Sequence, residues 1–324
     1  MKAVAKLAGV STATVSRYIN NSGYVGTESK VRIQEAIDDL NYSPNEVARS
    51  LQQKKSRLIG LLLPDISNPF FTMMAKGIED ELNKTEYSLI LANVQENKDK
   101  ETEYLRSFKN NNVAGVISAI EHKTKLDTEM PYVSIDRVSS NDEYSVTGDD
   151  YRGGVIAATE ILKRKPKEIL ILNSIEHLEK SKNRLNGIVT MLNEQDITYY
   201  IHSVYSYRID EVDGMMDTIL INYPNVDSII ASNDLHALVL LKSAIQKNIV
   251  VPENLQIIGY DNISFSALAN PGLSTVAQPV YQMGVVAAQL LQSIIENKPI
   301  AEKHIVLPVE FINRESLRDI QNTI

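Results

Sequence analysis

Apolar residues after position 57 fall into short runs that alternate with longer amphipathic segments. Residues 59–63 form a continuous apolar run, typical of a parallel strand that is covered on both faces. Helices are predicted at Met74–Asn83 and Lys100–Asn110, with amphipathic helices also separating the later strands. Further strands are predicted at 88–92, 115–118, 132–135, 168–172, 199–204, 228–231 and 256–258. This alternation predicts an α/β fold with open parallel sheets.

The first 42 residues have a helical pattern instead. The buried side of a short first helix is predicted to consist of Val4, Ala5, Leu7 and Ala8. Gly9 ends that helix, and Ser11 is a suitable N-cap for a second helix that runs to Ile19. The third helix is predicted to have Thr27 as its N-cap, with Val31, Ile33, Ile37 and Leu40 as its apolar positions. Two short helices joined through a glycine turn favour a helix-turn-helix unit, and spacing alone leaves a generic three-helix bundle open.

The next segment suits a helix that forms only when something packs against it. Ser43 and Glu46 fit a capping box, and Pro44 falls at the first helical position. So short a helix is marginal by itself, because nucleation outweighs its few hydrogen bonds. We therefore expect an all-α headpiece at 1–42, a hinge helix and linker at 43–57, and an α/β body at 58–324, with an ordinary linker helix as the alternative for the hinge.

Charge is distributed unevenly between these parts. The net charge of −8 argues, as an average, against binding nucleic acid. Residues 1–57, however, contain nine Lys and Arg against five Asp and Glu, a net +4, which leaves −12 for the remainder. A basic head on an acidic body is the asymmetry expected when one end meets phosphate.

The composition also excludes several classes of site. The chain has no Cys, and none of its five His pair at a metal-ligand spacing, so neither disulfides nor a metal or other cofactor is expected. No apolar run approaches the ~18 residues of a membrane span, and the N-terminus lacks the pattern of a signal peptide. The sequence therefore predicts a cytoplasmic protein without membrane contact.

Polar and aromatic residues follow the predicted strands, where open α/β sheets bind ligands. These strand ends are Asp65–Phe71, Asp136–Arg137, Ser232–Asp234, Gly259–Asp261 and Ala277–Pro279, and Arg184 opens a helix nearby. Each has an ordinary alternative: Asp65 and Asp234 as helix caps, or Asp136–Arg137 as a local ion pair. Asp136 and Asp261 could also serve as the paired carboxylates of a glycosidase, but no nucleophile elbow, P-loop or GxGxxG is present.

The segment VAKLAGVSTATVSRYIN resembles the headpiece of the lactose-repressor/galactose-repressor family of bacterial transcriptional regulators. In that family the start of the second helix reads bases, which implies base contacts for Thr12, Ala13 and Arg17. Arg17 could pair with guanine, and Ala13 could touch a thymine methyl. Phosphate contacts would fall to Ser11, Thr14, Ser16 and Asn20. Family members usually carry a few more residues before the first helix, so either the true start lies upstream of Met1 or this helix is frayed.

The same resemblance gives the hinge a role in DNA binding. In the family this segment pairs with that of the dimer mate in the minor groove, and the positions that match are Asn45, Ala48 and Leu51. Leu51 would wedge between base pairs and kink the operator. Because one headpiece covers half an operator and no tetramerising heptad follows Ile312, a homodimer is the expected assembly.

The body resembles periplasmic sugar-binding proteins, and its strand ends are similar to the sugar site of ribose-binding proteins. The matching positions are Asn68, Phe70, Phe71, Asp136, Arg137, Arg184, Asn233, Asp261 and Gln278. Carboxylates and Arg groups would bind adjacent hydroxyls, and Phe rings would pack on the sugar faces. NEVARSLQQKKSRLIGLLLPDISNPFF is especially similar to ribose-operon repressors of Gram-positive bacteria.

Taken together, the resemblance implies a two-lobed body, with lobe 1 at about 58–163 and 279–300 and lobe 2 at about 164–278 and 301–324. It implies a repressor of a sugar-utilisation operon that D-ribose or a close derivative releases from operator DNA. Sucrose, a purine, or a phosphorylated phosphocarrier protein docking outside the cleft are alternative effectors. A transport binding protein would share the body but would need a signal peptide and no headpiece.

Overall fold

The computed structural model describes residues 1–20, 22–42, 56–95, 97–121, 129–174, 178–205 and 209–320. The chain divides into two compact units, 1–57 and 58–324. Most of the segment predicted as a hinge lies outside the described residues, and so do the predicted DNA contacts Asn45, Ala48 and Leu51.

The first unit contains the predicted helices α1 (Lys2–Ala8), α2 (Thr12–Asn20) and α3 (Thr27–Asp39). Val4, Val15 and Ile33 are completely buried between them. Gly9 closes α1 with a φ of 66°, which glycine adopts without steric cost, and no side chain caps α1 at Met1. The N-cap of α3 is Gly26, one residue before the predicted Thr27.

One apolar position of this unit was predicted wrongly as buried, because Leu7 is exposed. Val31 and Leu40, two of the four apolar positions named in the third helix, are exposed as well. Helices as short as these bury only a narrow stripe, and in α1 the pair Val4 and Ala8, four residues apart, occupies it.

The described part of the body forms two six-stranded sheets. The first sheet has the order β11-β5-β4-β3-β1-β2, with β1 (Leu58–Leu63), β2 (Ser88–Asn93), β3 (Gly115–Ser118), β4 (Tyr132–Ile135), β5 (Ser145–Gly148) and β11 (His304–Leu307). The second has the order β12-β10-β9-β8-β6-β7, with β6 (Glu168–Ser174), β7 (Thr198–Val204), β8 (Ser228–Ile230), β9 (Gln256–Asp261), β10 (Ser274–Ala277) and β12 (Glu310–Ile312). All pairs are parallel except β10 with β12, which confirms the predicted parallel α/β class.

Helices cover the faces of both sheets. They are α4 (Pro69–Leu82), α5 (Lys98–Asn110), α6 (Asp150–Leu162), α7 (Glu179–Asn193), α8 (Ile209–Val212), α9 (Met215–Asn222), α10 (Asp234–Gln246) and α11 (Val280–Ile295). Within the described ranges, no helix has the length and apolar character that a membrane crossing requires.

The apolar run of β1 lies in the centre of the first sheet, as its composition predicts. Ile59, Leu61 and Leu63 pack on one side with α4 and α11, and Leu62 packs on the other with Phe108 of α5. Helix α4 begins five residues earlier than the predicted Met74. The Asn68 side chain accepts a hydrogen bond from the Phe70 backbone, and Pro69 stands at the first helical position.

Two of the predicted lobe boundaries are wrong. Helix α6, expected in lobe 1, packs its apolar face against the second sheet. Its Gly154 lies so close to α7 that a Cβ there would meet the Arg184 carbonyl oxygen at 2.1 Å. Strand β11, expected in lobe 2, pairs with β5 in the first sheet. The chain crosses between lobes after β5, β10 and β11, so lobe 1 comprises 58–148 and 280–307, and lobe 2 comprises 150–277 and 310–320.

Candidate functional site

Residues from both lobes line one cleft at the carboxyl ends of the strands. Eight of the nine residues predicted to bind a sugar contribute to it: Asn68, Phe70, Phe71, Asp136, Arg137, Arg184, Asn233 and Asp261. The ninth, Gln278, directly follows β10 and donates from Nε2 to Asp261 Oδ1 at 2.8 Å. The fold therefore brings together side chains that lie up to about 210 residues apart, because parallel strands end at a common edge.

Two asparagines of the cleft also start helices. Asn68 Oδ1 accepts from the Phe70 backbone at 3.0 Å, and Asn233 Oδ1 accepts from the His236 backbone at 2.8 Å. The alternative reading of Asp65 and Asp234 as the caps is therefore wrong. Because each cap uses the amide oxygen, the amide nitrogen is the group that can donate to a ligand.

Asp234 has a structural role instead. It is fully buried, and its carboxylate accepts from the Ile263 backbone and from the hydroxyls of Ser266 and Thr275. Burial raises the pKa of the Asp234 carboxyl to about 6, although these hydrogen bonds favour its ionised form. These bonds tie the start of α10 to the segment after β9 and to β10. Asp261 is the last residue of β9, so the same bonds help to position it.

Arg184 is held firmly from three sides. Its Nη1 donates to the Ser232 carbonyl at 2.6 Å, and its Nη2 donates to Asp150 Oδ1 at 2.7 Å. The guanidinium also stacks on the Tyr260 ring, 3.4 Å from the centroid. Arg184 lies within α7, not at its start as the sequence suggested, and this packing orients it before any ligand arrives.

The aromatic wall of the cleft belongs to the first lobe. The rings of Phe70 and Phe71 meet edge to face, with centroids 5.2 Å apart and an interplanar angle of 89°. The Arg137 guanidinium carbon lies 5.6 Å from the Phe71 centroid. Both rings are almost fully buried and offer an apolar surface beside the charged groups.

Asp136 has an unusual backbone and an unexpected partner. Its φ of 64° places it in the left-handed region at the end of β4, a strain typical of functional positions. Its Oδ1 forms a buried ion pair with Lys180 Nζ, from the first turn of α7. Among the described residues, its Oδ2 has no hydrogen-bond partner.

Lys180 and Ser232 also line the cleft. Lys180 was not predicted, and Ser232 was named only as part of a strand end, without a role in sugar binding. A lysine within a helix is normally a solvated surface residue, so composition gave no reason to select Lys180. A signal did exist: Lys180 precedes Arg184 by four residues, which places both on one face of α7. Ser232 directly precedes the predicted Asn233.

Asp261 is poised to change charge near neutral pH. Although part of the residue reaches the surface, burial raises the pKa of its carboxyl to about 7, against the opposing effect of Arg184 and Lys180.

A cleft with two carboxylates, three cations and two rings suits a small ligand with many hydroxyl groups. In the described parts of the chain, no group of three His, Asp or Glu side chains is placed to hold a metal ion.

The predicted base readers lie on the solvent face of α2. Thr12, Ala13 and Arg17 are exposed, whereas Val15 points into the core. Ser11 caps the helix by accepting from the Thr14 backbone at 3.1 Å, and the two hydroxyls lie 2.8 Å apart. Ser16 is partly exposed, and the side chain of Asn20 lies outside the described part of the chain.

Comparison with family models assigns the two parts of the chain separately. Residues 1–45 match the model described as "Bacterial regulatory proteins, lacI family". Residues 163–317 match the model of a "Periplasmic binding protein-like domain".

Whole-length relatives are known. The "Ribose operon repressor" of Bacillus subtilis (strain 168) is 44% identical over 321 residues, which cover 98% of each chain. Among solved structures, a periplasmic binding protein/LacI transcriptional regulator from Alkaliphilus metalliredigens complexed with D-xylulofuranose is 26% identical, with a TM-score of 0.74 over 82% of this chain and 100% of that chain. The lac repressor dimer bound to operator and an anti-inducer has a TM-score of 0.86 at 21% identity, over 97% of this chain and 98% of that chain.

Proposed function

Because the chain belongs to the lacI family of bacterial regulatory proteins, we propose that it represses a ribose operon and that D-ribose, or a close derivative, releases it from its operator. It is a DNA-binding transcriptional repressor of a sugar operon. The observation that carries the ribose assignment is the convergence of all nine ribose-type residues on one cleft. The relative complexed with D-xylulofuranose, another five-carbon sugar, supports a ligand of this size.

The headpiece would read the operator as part of a homodimer in the cytoplasm. Thr12, Ala13 and Arg17 would contact base edges, and Ser11, Thr14, Ser16 and Asn20 would hold phosphates. The hinge residues, Asn45, Ala48 and Leu51, would enter the minor groove. One headpiece spans half a palindromic operator, so two copies of the chain are needed.

The cleft supplies the coupling between sugar and DNA. Asp136 and the two Phe rings belong to the first lobe, whereas Arg184, Asn233 and Asp261 belong to the second. A sugar that touches both sets stabilises one relative position of the lobes, by no more than its differential affinity for the two positions. The coupling is reciprocal, so operator DNA weakens sugar binding by the same factor.

The test is release of fluorescent operator DNA from the full-length protein. D-ribose or ribose 5-phosphate is expected to lower operator affinity at least about tenfold, within the usual range of allosteric coupling. Fructose, sucrose and adenine serve as comparison ligands and are expected to have no effect. Release by sucrose or adenine without release by either ribose compound would refute the ligand assignment, and tighter operator binding with ribose would refute induction.

Ribose affinity is also expected to depend on pH through Asp261. Sugar hydroxyls donate to the ionised carboxylate, whereas burial holds the pKa of this carboxyl at about 7. Below pH 7 the carboxyl is mostly protonated and must release its proton when ribose binds, so affinity rises with pH. We expect about tenfold tighter binding at pH 8 than at pH 6, measured by titration calorimetry in buffers of different ionisation enthalpy. A flat profile without proton release would exclude Asp261 as the titrating group.

A further inference from the structure

The first turn of α7 connects the two lobes across the cleft. The backbone N–H of Glu179 donates to Glu121 Oε2 at 3.1 Å, and Glu121 follows β3 in the first lobe. Leu178, the N-cap residue of α7, provides no side-chain cap. A carboxylate of the opposite lobe therefore caps this helix, with favourable interaction with its dipole.

Lys180, the residue after Glu179, makes a second contact between the lobes across the cleft, and this contact is an ion pair. The Lys180 ammonium pairs with Asp136 Oδ1 of the first lobe, and both side chains are more than nine-tenths buried. Nζ also lies 5.3 Å from the Phe70 centroid, a cation–π distance. Lys180 thus contacts a carboxylate and an aromatic ring that are both assigned to the sugar.

The cleft has little space beside this lysine. The part of the cleft lined by Asp136, Arg184 and Asn233 has a volume of about 20 Å³. That is room for roughly one water molecule. The adjoining part, lined by Phe70, Asp261 and Gln278, is wider, at about 370 Å³. A pentose therefore cannot reach Asp136 and Asn233 while Lys180 lies between α7 and Asp136, and the latched form does not offer the complete sugar site.

We propose that Lys180 is an internal competitor of the effector, which latches the lobes together with Glu121 and must leave Asp136 before a sugar can bind. The proposal rests on the proposed function only in taking the ligand to be a sugar. Two of the three cations of the cleft already form ion pairs with carboxylates, Lys180 with Asp136 and Arg184 with Asp150. These pairings favour a neutral sugar as the ligand class over a sugar phosphate.

The populations of the latched and unlatched forms determine how Lys180 changes the apparent affinity for sugar. The apparent dissociation constant equals the intrinsic one divided by the fraction of molecules that are competent, so a latch that excludes the ligand weakens apparent affinity. Removing the ammonium also leaves the buried Asp136 carboxylate without its counter-charge, so sugar hydroxyls gain more by binding to it. Both effects make sugar binding tighter when the lysine is removed.

The decisive variant is Lys180→Met, which keeps the length and helical preference of the side chain and removes its charge. We expect D-ribose to bind the full-length variant about tenfold more tightly than wild type, by calorimetry. Lys182→Met is the matched control, because Lys182 is on the same turn, is half exposed and forms its ion pair with Glu179 of its own helix. Unchanged or weaker ribose affinity in Lys180→Met would overturn the proposal.

A second measurement needs no sugar at all. The chain has no Cys, so spin labels can be placed through E103C on α5 and Q195C after α7, both exposed positions on different lobes. Lys180→Met and, independently, Glu121→Ala are expected to lengthen and broaden the distance distribution by several ångströms, whereas Lys182→Met leaves it unchanged. Unchanged distributions in both variants would overturn the latch. Widened distributions in a protein that binds no sugar would support the latch and refute only the proposed function.

Discussion

Deletion of residues 1–57 is expected to abolish specific operator binding and to leave D-ribose affinity within about twofold of the full chain. The two units have separate apolar cores, and all nine residues assigned to the sugar lie in the second. The first unit carries a net +4 and the remainder −12, so deletion removes the attraction for phosphate along with the reading helix. Loss of at least about a thousandfold in specific affinity follows.

Fluorescence anisotropy with operator DNA and calorimetry with D-ribose measure the two halves of this expectation. A scrambled duplex of equal length is the control, and the full chain should bind it far more weakly and with steep salt dependence. Specific operator binding by residues 58–324 would contradict the assignment of DNA reading to the headpiece. Loss of ribose binding in a folded body would contradict the independence of the two units.

The sequence predicted the fold class because apolar runs and strand-helix alternation are local properties. Residues 115–118 and 132–135 were located to the residue, since each is a short apolar strand with clear ends. Strands β5, β10, β11 and β12 were missed. The apolar run Ile305–Leu307 of β11 is too short for periodicity alone to identify a strand. The sequence patterns of β11 and α6 do not indicate which sheet each element joins. That choice depends on packing between segments that are distant in the chain.

The candidate cleft was predicted from family resemblance combined with the rule that ligands bind at strand ends. That rule selects loop residues such as Asn68 and Asn233, and it cannot select a side chain that reaches the cleft from within a helix. Lys180 is such a residue, and its burial depends on Asp136, which lies 44 positions earlier in the chain. The double role of the two asparagines was equally hidden, because Asp65, three residues before Asn68, and Asp234, directly after Asn233, offered equally good caps.

Asp261→Asn is expected to weaken D-ribose binding about 10- to 150-fold, because hydrogen bonds to a charged acceptor contribute about 1.5–3 kcal/mol. The fold should tolerate this change. The Asn oxygen can still accept from Gln278 Nε2, and burial already disfavours the ionised carboxylate. Asp261 belongs to the body, so operator affinity without sugar should be unchanged. The variant should therefore remain on the operator at ribose concentrations that release wild type.

The same variant also tests whether Asp261 is the group that makes ribose binding depend on pH. An amide does not titrate, so the rise in ribose affinity between pH 6 and pH 8 should disappear in Asp261→Asn. Asp196→Asn, an exposed position on the same lobe, is the matched control and should retain both wild-type affinity and its pH dependence. Wild-type ribose affinity in Asp261→Asn would remove this residue from the site. Weaker binding that still rises with pH would keep Asp261 as a sugar ligand but assign the titration to a different group. The variant no longer carries the Asp261 carboxyl, whose pKa in the wild type is about 7.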